Sequence, residues 1–404
     1  MRNTIGRAAV LAALVLGAVL ALAGCGGGSA SGAGGTNATT TAYTSGLPGC
    51  PAGNEIFTVP PVALAQVRGW EPLGHMGPPG HTFPTDHQYL YTTAFGQPTD
   101  PSLSIPVVAP ANIRVTQVYR STYGSSGVAD YSVFFQPCAD VAGRFGHVVT
   151  LPPELLAAAG PIDKFCSTYE PSPGFATTLC QSALLRFDIA AGQPVGTLGH
   201  GGAISLDWWL QDRRVAALHF ANPARFAGYN GGDGFDEAHI VPASAYYTPA
   251  VAAQIATKLG RFDGSVQRTT APTGGTIAVD VDGTARGYWF NPAQPYPPEA
   301  FHAALAPDYV TPDVMQAFSL GLSQGNAAVY ATFMPATAGT VNRAFESVTA
   351  DGQVYCWEPN EHQNVIVAQL IDAATLKLEV RPGMTACAAA APYAFGANAV
   401  TYKR

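Results

Sequence analysis

The sequence predicts an all-β protein, mainly antiparallel, with few short helices. Charged residues make up only 12% of the chain while glycine and proline number 44 and 33, which suits short strands and tight turns rather than helical bundles. Apolar runs alternating with polar residues recur at short spacing from Tyr89 to Asp212, and again from Gly264 onward. No long helical segment separates these runs, so neighbouring strands are expected to pair as hairpins rather than through crossovers.

The first element is a leader. Arg2 and Arg7 precede an apolar run, Ala8 to Ala23, broken only by Gly17 and ending in Leu22-Ala23-Gly24-Cys25. A positive end, a short apolar core and small residues before a cleavage point make residues 1–24 a secretory signal. The run is too short and wrongly flanked for a membrane-spanning helix. Leu-Ala-Gly-Cys resembles the lipobox of bacterial lipoproteins, which implies cleavage before Cys25 and fatty acylation of its thiol and amine. The alternative is an ordinary signal with an incidental cysteine. Gly26, where an aspartate would favour inner-membrane retention, implies the periplasmic side of the outer membrane in a two-membrane bacterium. In other bacteria the implied place is the outer face of the cell membrane. Residues 25–48, rich in Gly, Ser, Ala and Thr and without charge, read as a flexible tether.

About 355 residues remain, enough for two domains with cores of their own. The net charge of −7 carries no basic cluster, which excludes nucleic acid as a partner. Setting Cys25 aside, six of the seven cysteines are left in an exported chain, an even count that points to disulfides. Spacing favours Cys166–Cys180 and Cys356–Cys387 as local bridges, leaving Cys50 with Cys138, among the fifteen pairings six cysteines allow, a count of order 10. No pair has the CxxC spacing of a cysteine zinc site or redox motif.

Residues 49–245 read as the first β domain. Pro78 to His87 (Pro-Pro-Gly-His-Thr-Phe-Pro-Thr-Asp-His) places His81, Asp86 and His87 in one short loop just before a strand at Gln88 to Thr93. Imidazole beside carboxylate is the material of a zinc site or an acid–base pair, and a loop-to-strand junction holds it rigidly. Further strands follow at Ile105 to Pro110, Ile113 to Tyr119, Asp130 to Phe135 and Arg144 to Val149. After a short helix at Pro152 to Ala159, strands resume at Leu185 to Ile189, the glycine-rich Ala191 to Gly199, and Ile204 to Leu210.

Several of these pieces, in this order, resemble the lysostaphin-type (LytM-like) zinc endopeptidases that cut peptidoglycan cross-links. The residues that carry the resemblance are His81 and Asp86, Val108-Ala109-Pro110 with Val115, Phe145-Gly146-His147-Val148, and Ile189 to Gly199. It covers Glu71 to Asp212, about a third of the chain. It implies a LytM-like β-sandwich with His81, Asp86 and Asp207 at metal positions and His147 as a catalytic histidine. The departures are as specific. The closing strand reads Ser205-Leu206-Asp207, where the family has two histidines, and the spacing from His81 to Asp86 is one residue longer than usual. Aspartate can ligate zinc, so zinc is the ion such a set would take, although the reading as a whole expects no cofactor.

Each of these residues also has a plainer reading. His81 and Asp86 can hydrogen-bond the loop and each other, and His147 can be a satisfied core histidine. Alternation with Asp86 puts His87 on the opposite strand face. Asp207, beside Trp208 and Trp209, either pairs with His147 or His81 or lies in a groove that binds sugar or peptide. His200, between glycines, reads as solvated.

Residues 246–263 read as a helical connector with Thr248 as N-cap. Residues 264–404 read as a β-barrel-like domain that opens with a hairpin, Thr276 to Val281 and Thr284 to Phe290, about Asp282-Gly283. Strands at Val329 to Phe333, Arg343 to Val348, Gln353 to Trp357, Val365 to Leu370 and Leu376 to Val380 follow. The function expected is a lipid-anchored envelope protein, membrane-bound through Cys25, that binds peptidoglycan or regulates an envelope hydrolase without catalysis. An active zinc metalloendopeptidase using His81, Asp86, Asp207 and His147 is the first alternative. A ligand-carrying barrel lipoprotein is the second.

Overall fold

Short antiparallel strands dominate the structure, a computed structural model, as the alternating runs predict. It describes residues 46–404 except 97–101, 125–127, 173, 200–203, 226–235, 326, 361–363 and 391–392. The expected signal, the lipidation of Cys25, the tether up to residue 45 and His200 lie outside the described residues. No helix among those described is long and apolar enough to cross a membrane.

The first half contributes β1 (Val67–Glu71), β2 (Gln88–Thr92), β3 (Ser104–Val108), β4 (Ile113–Tyr123), β5 (Val128–Cys138) and β6 (Val141–Val148). It continues with helix α1 (Pro153–Ala159), β7 (Lys164–Ser172), β8 (Phe175–Gln181), β9 (Phe187–Ile189), β10 (Pro194–Gly199) and β11 (Ser205–Asp212). One sheet runs β1-β2-β11-β6-β5-β4-β8-β7, with β9 also on β4, and β3 pairs with β10 in a two-stranded sheet. Period-2 alternation divides the large sheet into two faces. Leu206, Trp208 and Leu210 of β11 join Leu90, Val133, Phe135 and Phe145 in the first core. Fully buried Trp208 meets Phe57, Phe145, Trp70 and Tyr247 there. Burial of this kind makes truncation cost about 3–5 kcal/mol.

The glycine-rich motif has the close approach expected of it. A Cβ at Gly196 would lie 2.3 Å from the carbonyl oxygen of Thr150, so β10 reaches its neighbour only with glycine there. Helix α2 (Pro249–Ala256) begins after Thr248, although the Thr248 side chain makes no capping bond. The segment read as a connector packs into the first core through Tyr246, Tyr247, Ile255 and Leu259. Its chain also runs along β1, where Trp70 N–H donates to Lys258 O at 2.8 Å and Gly260 N–H to Trp70 O at 2.9 Å. An otherwise open sheet edge is thereby covered.

The second half corrects the expected barrel. β12 (Gly287–Trp289), β13 (Ala303–Pro307), β14 (Gln316–Leu320) and β15 (Val329–Phe333) form one four-stranded sheet. β16 (Tyr355–Trp357), β17 (Asn364–Asp372), β18 (Thr375–Pro382) and β19 (Val400–Lys403) form another. No closed barrel results. The two sheets share a core filled by Trp289, Phe318, Phe333, Phe345 and Trp357, which takes the place of the lumen a ligand-carrying barrel needs.

The hairpin about Asp282-Gly283 reduces to a turn. Asp280 Oδ1 accepts Tyr288 N–H at 3.0 Å, and its Oδ2 accepts Ala221 N–H at 2.8 Å. A side-chain carboxylate therefore takes the donor that a hairpin ladder would have used. The expected strand at Arg343 to Val348 is instead a 3-10 turn over Phe345–Ser347. Three bridges form as spacing favoured: Cys50–Cys138, Cys166–Cys180 and Cys356–Cys387. A third apolar cluster joins the halves, with Leu73, Met76, Phe83 and Trp209 from the first and Ile277, Tyr288, Phe290 and Ala304 from the second.

Candidate histidine–carboxylate site

The face of the large sheet opposite Trp208 carries polar side chains because alternation puts them there. Asp207 and Trp209 on β11, Tyr89 on β2, Arg144 on β6 and Asp130 on β5 share it, one position out of step with core residues. The loop from Pro72 to His87 folds over this face. Gly77 and His81 exchange backbone hydrogen bonds of 2.7 and 3.0 Å, and Thr85 N–H reaches His75 O at 2.9 Å. These rungs shape the loop and set His81 down on the sheet, where His87 follows as β2 begins.

His147 arrives by a different device. In the pairing of β5 with β6, Tyr131 faces Val148 and Val133 faces Phe145, so Gly146 and His147 together oppose Ser132. This is a β-bulge, which re-aims a side chain and is commonly found beside functional sites. His147 lies at φ 62°, a left-handed conformation that costs a non-glycine residue about 1–3 kcal/mol. Gly146 beside it packs closely, since a Cβ there would stand 3.0 Å from the Trp209 ring and 3.3 Å from Asp207 Cβ.

The side chains form a continuous chain of acids and imidazoles. Trp209 Nε1–H donates to Asp86 Oδ1 at 2.8 Å, and the same oxygen lies 2.8 Å from His87 Nδ1. His87 Nε2 is 3.6 Å from Asp207 Oδ2, and His147 Nε2 is 3.1 Å from that same oxygen. These two are ion-pair distances without hydrogen-bond alignment. His147 Nδ1 meets Asp130 Oδ2 at 2.5 Å, and Tyr123 O–H donates to Asp130 at 3.0 and 3.1 Å. Asp207 and His87 are each 1% exposed, and the Arg144 guanidinium stacks 3.4 Å above the Trp209 ring.

Electrostatics follows from this order. Burial works against a charged His147, yet Asp207 and Asp130 outweigh it and raise the imidazole well above its usual value. Burial likewise raises Asp207, but the charges of His147 and His87 prevail and hold the carboxyl below its usual range. For Asp86, burial is offset by His87, then Arg144 and Trp209, with a net lowering. His81 is the exception. Burial, reinforced by His87 and His75, pushes it down to about 3, so its ring is neutral. Its Nε2 is buried without a hydrogen-bond partner, and its ring lies 5.4 Å from that of His87.

The positions suggested by the sequence therefore gather in one region, in a changed arrangement. Asp86 faces His87 and Trp209, and Asp207 faces His147 and His87. Among the described residues no group of three His, Cys, Asp or Glu side chains is placed to share one metal ion. With Asp86 turned to His87 and Trp209, and Asp207 to His147, no metal-dependent step is derived from them. Ser205, where the resemblance expects a histidine, is buried on the same face of β11.

The expected place of His87 is corrected. Asp86 precedes β2, which starts at Gln88, so strand alternation does not extend across this pair. His87 sits inside the cluster between two carboxylates. Sequence reasoning also missed Asp130, although its even-numbered register with Ser132 and Phe134, against core residues Val133 and Phe135, was a usable signal. The chemistry available is storage of positive charge on His147 between Asp207 and Asp130. Compared with known proteins, the chain matches no protein-family model and no curated relative.

Proposed function

We propose that this is an exported, lipid-anchored cell-envelope protein whose first half is a LytM-like domain without peptidase activity, acting in cell-wall binding or in regulation of wall hydrolysis. The observation that carries the reading is the pairing of His147 and His87 with Asp207. At two of the positions where the resemblance calls for a ligand and a catalytic histidine, Asp207 and His147 face one another at 3.1 Å. A His147 held protonated beside Asp207 cannot serve as a base. The motif pieces also lie together. Ala109 N–H donates to Gln193 O at 2.9 Å, and Gly192 N–H returns to Ala109 O at 2.8 Å, joining Val108-Ala109-Pro110 to the glycine-rich segment.

Co-sedimentation of the purified protein with peptidoglycan sacculi, alongside metal analysis, tests the proposal. Binding without stoichiometric zinc and without cleavage of cross-linked muropeptides is expected. Stoichiometric zinc that disappears in His81→Ala would overturn the reading in favour of an active zinc endopeptidase.

A further inference from the structure

The loop that carries His81, Asp86 and His87 has one aromatic side chain at its centre, and that side chain belongs to the other half's packing. Phe83 is 2% exposed. Its ring lies 5.0 Å from those of Tyr288 and Phe290, 5.5 Å from Tyr296 and 5.7 Å from His302, the last stacked at 10°. All four partners come from the C-terminal half. At the same residue Glu299 Oε2 accepts the Phe83 N–H at 2.9 Å, a contact spanning 216 residues of sequence.

We infer that Phe83 and Glu299 are positioning residues, through which the C-terminal half holds the loop against the large sheet and makes the histidine–carboxylate site a composite of both halves. Two independent contacts, one apolar and one polar, meet on one loop residue between His81 and Asp86. The loop's own backbone rungs, Gly77 with His81 and Thr85 with His75, fix its shape, and its end is tied to the sheet by the Trp209–Asp86 hydrogen bond and by the pairing of Gln88 with Trp208. The clamp on Phe83 therefore bears on the middle of the loop, where His81 lies. His147, Asp130 and Asp207 stand on strands joined by ladder hydrogen bonds, and so remain together whatever the loop does.

The charge of the clamp agrees with its place. The groups facing Glu299 are Asp86 on the loop and Tyr288 on β12. Burial, then the charge of Asp86, pushes the Glu299 carboxyl up to about 8 against backbone donors at Phe83 and Thr82. Near neutrality it is therefore protonated and adds no second negative charge beside Asp86. His302 is kept neutral, burial with Arg225 lowering it to about 4, which suits a ring stacked on Phe83.

The test is NMR of the whole chain with nitrogen-labelled histidine, and its readout is the selectivity of the change. In Phe83→Ala and Glu299→Ala the His81 ring signals should shift and broaden most, while those of His87, beside the Gln88–Trp208 pair, and of His147, held to Asp130, change least. Glu299→Gln retains a carbonyl acceptor for the Phe83 N–H and should leave all three unchanged. If Phe83→Ala loses the fold, Phe83→Leu and Glu299→Ala give the same comparison. The inference is overturned if the three histidines move together, if none moves, or if Glu299→Gln behaves like Glu299→Ala. Peptidoglycan binding is not a readout here, so the inference stands or falls apart from the wall reading.

Discussion

In the C-terminal half Phe318, Phe333, Phe345 and Trp357 meet ring to ring, with centroids 4.8–6.3 Å apart, and the space between its sheets is apolar. In the first half the face of β11 opposite Trp208 holds Asp207 between two imidazoles, with two more carboxylates beyond them. Both regions are buried antiparallel sheet, but their physics differs. Apolar packing stabilises without regard to pH. Burying ions costs several kcal/mol each, and such networks are often no more stable than a hydrophobic replacement of equal volume. Add the left-handed His147, and the polar face is a poor device for stability. The difference sets a costly polar cluster on the first half's sheet against an apolar core in the second.

Two substitutions should break the comparison most strongly. Asp207→Ala leaves two imidazoles without their shared carboxylate and is expected to cost about 3–5 kcal/mol at pH 6, the range for breaking a buried pair. Phe345→Ala removes a ring from the second core and is expected to cost about 3 kcal/mol by cavity formation. Urea unfolding at pH 5 and pH 8 separates them. The loss in Phe345→Ala should agree at both values, whereas that in Asp207→Ala should shrink at pH 8, where part of the His147 contribution is already lost in the wild type.

The pH profile sharpens the same contrast. His147 is raised, so its contribution is complete below its ordinary value of 6.5 and is lost as pH climbs towards its folded value. Glu299, raised from 4.5 to about 8, contributes fully below 4.5 and loses that contribution up to pH 8. His81, lowered from 6.5 to about 3, acts in reverse, contributing above 6.5 and losing it as pH falls. His302, lowered from 6.5 to about 4, acts as His81 does, so from these four groups stability should rise between pH 4.5 and 6.5, where Glu299 offsets only one of the two histidines, and then fall. His147→Asn, a residue that tolerates the left-handed backbone, should reduce the alkaline fall by up to about 1.4 kcal/mol per pH unit. Glu299→Gln should steepen the rise between pH 4.5 and 6.5. Denaturant midpoints across pH 4 to 9 measure both, and an unchanged profile in either variant would contradict the stated cause.

How much of this could be read in advance depended on resemblance and on periodicity. Asp207 and His147 were reached through the family resemblance; alternation along β11 agrees for Asp207, whereas His147 has the parity of core residues Val141 and Phe145 and reaches the polar face only through the bulge. β13 and β14 were missed. Ala303, Leu305, Phe318 and Leu320 face the second core while Ala304, Ala306 and Ala317 face the cluster between the halves, so no polar alternation marks either strand. The barrel expectation failed for a related reason. Strand count and turns do not determine whether a sheet closes on itself or pairs with another, since closure depends on shear and tilt, which are not local properties. The clamp on Phe83 was invisible because its partners lie about 200 residues away, a separation that no window of sequence relates.

A last contrast lies within the junction itself. His219 Nε2 and Asp282 Oδ1 are 3.0 Å apart and connect the halves, as Glu299 and Phe83 do, but their side chains are 61% and 69% exposed. Water screens such a pair and ordering two mobile side chains offsets what attraction remains, so it contributes about 0–0.5 kcal/mol. Asp282→Ala should therefore shift the unfolding midpoint little at any pH and leave the His81, His87 and His147 signals in place. Should it disturb His81 as Glu299→Ala is expected to, any loosening of the junction would suffice, and the specific hold on Phe83 would not be what sets the loop. If it does nothing, contact between the halves matters only where it is buried and reaches the loop.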